Sequence, residues 1–298
     1  MQSGKRFAED ARSGKVDATM NQPPYRRIAV ASAFSPRFEM VLAEAKRVRE
    51  RLGSELNLIY VGEKDDQTTR RFTEALAELE LPADSLIHYQ QGSPAEAILQ
   101  VVAANEVELI VAGALEKEVV LRPFLGNVAR RLVREAPCSV ILFTKPDREP
   151  KPLRRIVFFV PDYSEHAKRA LQTTLQLAAQ EQCENLYVIR VYTTFDAARA
   201  TLRANAEAPE DHPAARTLEE EEDALEEFIE EQAAEASEMA IEGRCIRGNT
   251  GFAASDFVQA VEADLLVVPV ESSVATGELP PHIAWVTDVI PCNLWIIR

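Results

Sequence analysis

Residues 107–144 read VELIVAGALEKEVVLRPFLGNVARRLVREAPCSVILFT. The segment opens on an apolar strand, Leu109 to Ala112, and runs through a loop that begins at Gly113 and ends at Gly126. It then starts a helix near Asn127 and closes on a second apolar strand after Pro137. A strand, a glycine-bounded loop and a helix in that order leave the first backbone N–H groups of the helix without partners. The helix dipole makes that place attractive to an anion. If the chain binds a nucleotide phosphate, this is the place for it.

The chain upstream shows the same alternation. Ile28 to Ala31 is a short apolar strand, and Phe34-Ser35-Pro36 reads as a helix start with Ser35 as N-cap and Pro36 at the first helical position. Phe38, Val41, Leu42, Ala45, Val48 and Leu52 recur at helical spacing against a polar face of Arg37, Lys46, Arg47 and Arg51. Leu56 to Val61 and Leu86 to Tyr89 read as strands, Thr69 to Glu80 and Pro94 to Asn105 as helices. Strands alternating with helices pair in parallel through right-handed crossovers. The expected class is α/β, with an open, doubly wound, Rossmann-like sheet of five mainly parallel strands flanked by helices.

Lys145 to Pro152 is charged and rich in proline, as linkers are, and the pattern then restarts. Arg154-Arg155-Ile156-Val157 echoes Arg26-Arg27-Ile28-Ala29, Tyr163-Ser164 echoes Phe34-Ser35, Gly248 answers Gly92, and Pro291-Cys292 answers Pro137-Cys138. An internal repeat explains these echoes. The chain therefore divides into a tail (1–24), a first domain (25–145), a linker (146–153) and a second domain (154–298) carrying an acidic helical insert at about 195–240. The insert holds Glu219 to Asp223 and Glu226, Glu227, Glu230 and Glu231, with Leu218, Leu225, Phe228 and Ile229 gathered on one side. It reads either as an arm for a protein partner or as a solvated helix laid over the second sheet.

Composition excludes several function classes. The 298 residues are 46% hydrophobic with a formal charge of −15, a field that repels phosphate backbones and anionic membranes. Neither nucleic acid nor membrane is an expected partner. No run of about 18 apolar residues occurs, and Met1 to Pro24 is polar, so the expected location is the cytoplasm. Cys138, Cys183, Cys245 and Cys292 are scattered through apolar runs and read as buried free thiols, and the dispersed histidines give no metal-ligand spacing. Neither G-x-S-x-G nor G-x4-G-K-S/T is present, so no catalytic residue is assigned.

The pieces in order resemble the universal stress protein family in its tandem form. They are Ile28 to Pro36, Gly92 to Leu99, Leu109 to Gly113, Leu125 to Val128 and Ala136 to Val140, then Val160 to His166 and Ile290 to Cys292 in the second half. The resemblance implies two HUP/Usp-type domains whose fifth strands, Ser139 to Phe143 and Asn293 to Ile297, pair as an intrachain pseudo-dimer. It also implies a homodimer of the chain. The family's ATP-binding members carry an Asp after the first strand for adenosine and a G-x2-G-x9-G-S/T loop for the phosphates, where glycines let the backbone approach the ligand. On that pattern the candidate nucleotide contacts here are Gly113, Leu115, Gly126, Asn127 and Val128 in the first half and Asp162 in the second, for ATP or AMP with magnesium.

Both halves depart from the pattern. In the first, Glu116 replaces the middle glycine, Asn127 the Ser/Thr and Ala33 the Asp, with Arg122 the nearest cation to offset Glu116. Turn geometry for Gly113 and Gly126, and an N-cap role for Asn127, are the alternative reading. In the second half Pro269 and Ser272 replace two glycines, and Pro280-Pro281 removes N–H donors. Asp162 there reads either as an adenosine ligand or as a cap of the following helix. The leading expectation is a non-catalytic stress-response protein with a degenerate first site and no phosphate loop in the second half. The alternatives are an ATP/AMP sensor or weak ATPase, and a ligand-free scaffold related to transporter-associated regulatory domains.

Overall fold

A computed structural model describes residues 23–32, 34–114, 125–205, 216–233, 239–271, 279–280, 283–288 and 292–298. The first half runs β1 (Arg27–Ser32), α1 (Phe38–Leu52), β2 (Glu55–Val61), α2 (Asp66–Glu78), β3 (Ile87–Gln90), α3 (Pro94–Ala104), β4 (Leu109–Gly113), α4 (Asn127–Glu135) and β5 (Ser139–Phe143). The second runs β6 (Arg155–Phe159), α5 (Glu165–Gln180), β7 (Asn185–Tyr192), α6 (Thr194–Asn205), α7 (Leu218–Ala233), β8 (Ala240–Arg247), α8 (Thr250–Ala260), β9 (Leu265–Pro269) and β10 (Asn293–Ile297). A 3-10 turn, Ala284–Thr287, precedes β10.

Local chemistry sets the helix ends. Asp65 and Thr68 form a capping box at the start of α2, Pro94 opens α3, and Gly53 closes α1 in the left-handed region at φ 67°. Ser164 caps α5, accepting the N–H of Ala167 at 3.3 Å. Its echo Ser35 does not cap α1. Regular helix begins only at Phe38, whose N–H reaches the Ser35 carbonyl, so Ser35 to Arg37 form a turn ahead of the helix.

The strands form one ten-stranded sheet in the order β3-β2-β1-β4-β5-β10-β9-β6-β7-β8. Every pairing is parallel except the central one, where Val140, Ile141 and Leu142 of β5 run antiparallel to Ile296, Trp295 and Leu294 of β10. The fifth strands thus join the halves within one chain. Side chains alternate between faces. Ile28, Val30, Leu109, Ile156, Leu265 and Trp295 pack under α1, α2, α5 and α7. Ala29, Ile110, Leu142, Val157, Leu266 and Leu294 pack under α3, α4 and α8. Both cores cross the seam without a break.

Polar groups fasten the same seam. The Arg298 guanidinium donates to the Val133 carbonyl at 2.6 Å, at the end of α4 where a cation suits the helix dipole. Arg298 N and Tyr25 OH each reach Ser139 Oγ at 3.0 Å. On the other face Arg47 of α1 lies between Glu44, at 2.6 Å, and Glu181 past the end of α5, at 3.5 Å.

The acidic helix α7 packs on β7, β8 and α5, with Leu225 and Phe228 in the core and most of its glutamates exposed. It lies over the second half as α2 lies over the first. Phe228 packs on Tyr163 at 5.5 Å as Phe72 packs on Phe34 at 4.8 Å.

Candidate functional site

In a sheet wound both ways, a ligand crevice opens at the carboxyl ends of the strands where the winding reverses. Here that point lies between β1 and β4 in the first half and between β6 and β9 in the second.

In the first half Gly113 ends β4 hard against α1. A Cβ there would stand 2.9 Å from Val41 Cγ2, so close approach is what requires the glycine. Gly126 is the N-cap of α4 with φ −62° and ψ 157°, values open to any residue, so turn geometry does not explain it. Asn127 is the first helical residue, exposed, and not the cap. Among the described residues no side chain caps α4. Its first intrahelical bond runs from Arg130 N to Gly126 O, leaving the N–H groups of Asn127, Val128 and Ala129 ahead of it for a ligand or water. Leu115, Glu116, Arg122 and Ala33 lie outside the described residues.

Beside this crevice, over β1 and β2, Phe34 packs against Phe38, Tyr60 and Phe72, and the Arg71 guanidinium lies 3.9 Å from the Phe34 ring centre. The arrangement is a cation–π cap on an aromatic cluster. The sequence pattern carried no sign of it beyond apolar spacing.

The second half is built differently at the corresponding place. By strand register, Arg190 stands on β7 where Tyr60 stands on β2. Its guanidinium donates to the carbonyls of Val160 and Pro161 at 3.2 and 2.5 Å and pairs with Glu221 of α7 at 2.7 Å. Glu221, 5% exposed, also accepts from Tyr163 OH at 3.1 Å. Burial and the neighbouring carboxylate push the Tyr163 phenol far above its ordinary range, so it stays a donor. Asp162 is exposed and accepts the N–H of Ser164 at 3.0 Å, forming a turn before the helix that Ser164 itself caps. Asp162 is therefore not the helix cap. Pro269 ends β9, and the Pro280 carbonyl accepts from Ile283 and Ala284 at the approach to the 3-10 turn. Where the first half has α4, the described residues of the second have only that turn. Ser272 and Pro281 lie outside the described residues.

The cysteines are free. Cys138, Cys183 and Cys292 are buried, and burial holds Cys183 and Cys245 up to about 11 and Cys138 up to about 12, which keeps these thiols protonated and unreactive. Among the described residues no group of three or more His, Cys, Asp or Glu could hold a metal ion, and no helix is long and apolar enough to cross a membrane.

The sequence model described as the universal stress protein family matches residues 24–144 and 153–298. A universal stress protein of Thermus aquaticus is 41% identical over 69 residues, 23% of this chain and 50% of that one. One of Methanocaldococcus jannaschii is 36% identical over 59 residues, 20% of this chain and 35% of that one. The alignments thus span half or less of these curated relatives. Among solved structures, a putative universal stress protein of Pseudomonas aeruginosa UCBPP-PA14 is similar at a TM-score of 0.66 and 16% identity, covering 92% of this chain and 93% of that one. A functionally unknown protein of Pseudomonas aeruginosa PAO1 is similar at 0.65 and 17%, covering 92% of each chain. At these identities the likeness is one of fold.

Proposed function

The chain belongs to the universal stress protein family, with two of its domains in tandem, and from that premise we propose a cytoplasmic stress-response protein that acts by binding and regulation without turnover. Its first half carries a degenerate adenine-nucleotide site and its second half none. The observation that carries this reading is the uncapped start of α4, where Gly126 supplies no side chain and three N–H groups precede the first helical bond. Phosphate oxygens accept from such groups, and the helix dipole favours their charge. Gly113, Leu115, Gly126, Asn127 and Val128 are the proposed contacts, for ATP or AMP with magnesium. In the second half the lack of a counterpart to α4 among the described residues and the Arg190–Glu221–Tyr163 network argue against an equivalent site, and Asp162 serves the turn before α5.

The test is titration of ATP and AMP, with and without magnesium, into protein freed of bound nucleotide. About one equivalent is expected. Gly126→Asp puts a good capping residue at the same position, so the helix is kept while its side chain takes the N–H groups and repels phosphate. Affinity should fall about tenfold or more. Absence of binding by the parent protein would favour a ligand-free scaffold, and steady release of phosphate would favour a weak ATPase.

A further inference from the structure

The opposite end of the first half holds a second opening. At the amino ends of β1 and β2, beneath the end of α3 and the α2–β3 connection, lies an open cavity of about 860 Å³. On its floor is Asn57, 8% exposed, whose side-chain amide makes no hydrogen bond among the described residues. Facing an open cavity, the amide is free to bond water or a ligand. Arg49 also lines the cavity, and its side chain meets no acceptor among the described residues. Arg27 lines it too, with Nη1 on the Asn105 carbonyl at 2.5 Å and 3.8 Å from Glu106.

The second half carries larger side chains at two corresponding positions. By register Tyr187 stands on β7 where Asn57 stands on β2, and Phe257 of α8 stands where Val101 stands on α3. The rings of Tyr187 and Phe257 pack edge to face at 5.6 Å. The first half has a polar residue and a smaller one at these two positions, and of the two Asn57 lines the cavity.

The walls offer both signs of charge. Arg27 and Arg49 suit a carboxylate. At the end of α3, Val107 N bonds the Val102 carbonyl and Glu108 N bonds the Arg27 carbonyl, so the carbonyls of Ala103 and Ala104 have no backbone donor. That negative helix end, with Glu106 beside it, suits an ammonium group. The Asn57 amide can donate and accept between them. We propose that this cavity is a binding site for a small zwitterion of the amino-acid class, separate from the nucleotide site at the other end of the sheet.

The experiment is calorimetric titration of each common L-amino acid into the full chain, followed by the N-acetyl form of any that binds. Saturable heat with at least one amino acid is expected, and loss of it on acetylation, which removes the cation. Asn57→Tyr, which puts the second half's side chain at the cavity wall, should abolish the heat. Arg49→Ala, at a partly exposed position on α1, should weaken binding about tenfold. Gly126→Asp should leave it unchanged. No heat with any amino acid at millimolar concentration, equal binding of the acetylated form, or parental affinity in Arg49→Ala would overturn the proposal.

Discussion

Glu44 sits 4% exposed on α1, within 2.6 Å of Arg47, while Glu181 from the other half competes for the same guanidinium. Burial is the main cause that lifts its carboxyl from 4.5 to about 7, with the Arg47 charge opposing and the Glu181 charge adding. Its folded-state value therefore lies above its unfolded one. Below about 4.5 both states are protonated and burial carries no ionic cost, whereas between 4.5 and about 7 the folded state holds a proton that the unfolded state has lost. Stability contributed by this group falls as pH rises through that window, by about 3 kcal/mol in full. Urea unfolding should show Glu44→Gln losing less stability between pH 5 and pH 8 than the parent protein, and equal slopes would refute the assignment. The sequence placed Arg47 on the polar face of α1, and that reading follows from helical spacing alone. Arg47 is 9% exposed because the linker carbonyl of Lys151 and Glu181, both distant in sequence, cover that face. Spacing within a helix carries no information about what another half brings to it.

Helix α7 shows what periodicity does and does not disclose. Its glutamates and its apolar side were legible, since Leu225 and Phe228 are buried where the spacing put them. Its place was not. Phe228 and Phe72 are separated by the same interval as Gly248 and Gly92, and both rings pack on the aromatic residue that follows the first strand of their half. The acidic helix is thus the counterpart of α2, and α6 with the residues up to α7 is what the second half has in addition. Phe228→Ala should then cost about 3–5 kcal/mol as a core truncation, while Glu227→Gln on the exposed side should stay within about 0.5 kcal/mol. Chemical denaturation of the two variants checks this, and similar small losses for both would mean that α7 is an appendage. The network of Glu221, Arg190 and Tyr163 was hidden for a related reason. Arg190 is on β7, Glu221 on α7 and Tyr163 in the β6–α5 connection, and only the register of β6 with β7 and the docking of α7 bring them together.

At the scale of the whole molecule, the pairing of β5 with β10 makes ten strands continuous, and both cores pass across it. The fifth-strand pairing came from family resemblance, while the parallel order within each half came from alternation of strands and helices. Trp295 lies in the middle of the seam, fully buried, opposite Ile141 and 6.2 Å from the ring of Tyr25. Unfolding either half alone would expose this ring, strip β5 or β10 of its neighbour and leave Arg47 and Glu181 apart, losses of several kcal/mol each by ordinary magnitudes. Such losses compare with the whole stability of a domain, so the halves should unfold together. The sequence supplies its own reporters, because Trp285 and Trp295 both lie in the second half while helix is spread over both. Tryptophan fluorescence and far-ultraviolet circular dichroism should therefore give coincident urea transitions, with a slope appropriate to the full chain. Trp295→Ala should shift the dichroism midpoint of the whole protein as a single step. Two separated transitions, with fluorescence following only one, would show that the seam aligns the halves without coupling their stability.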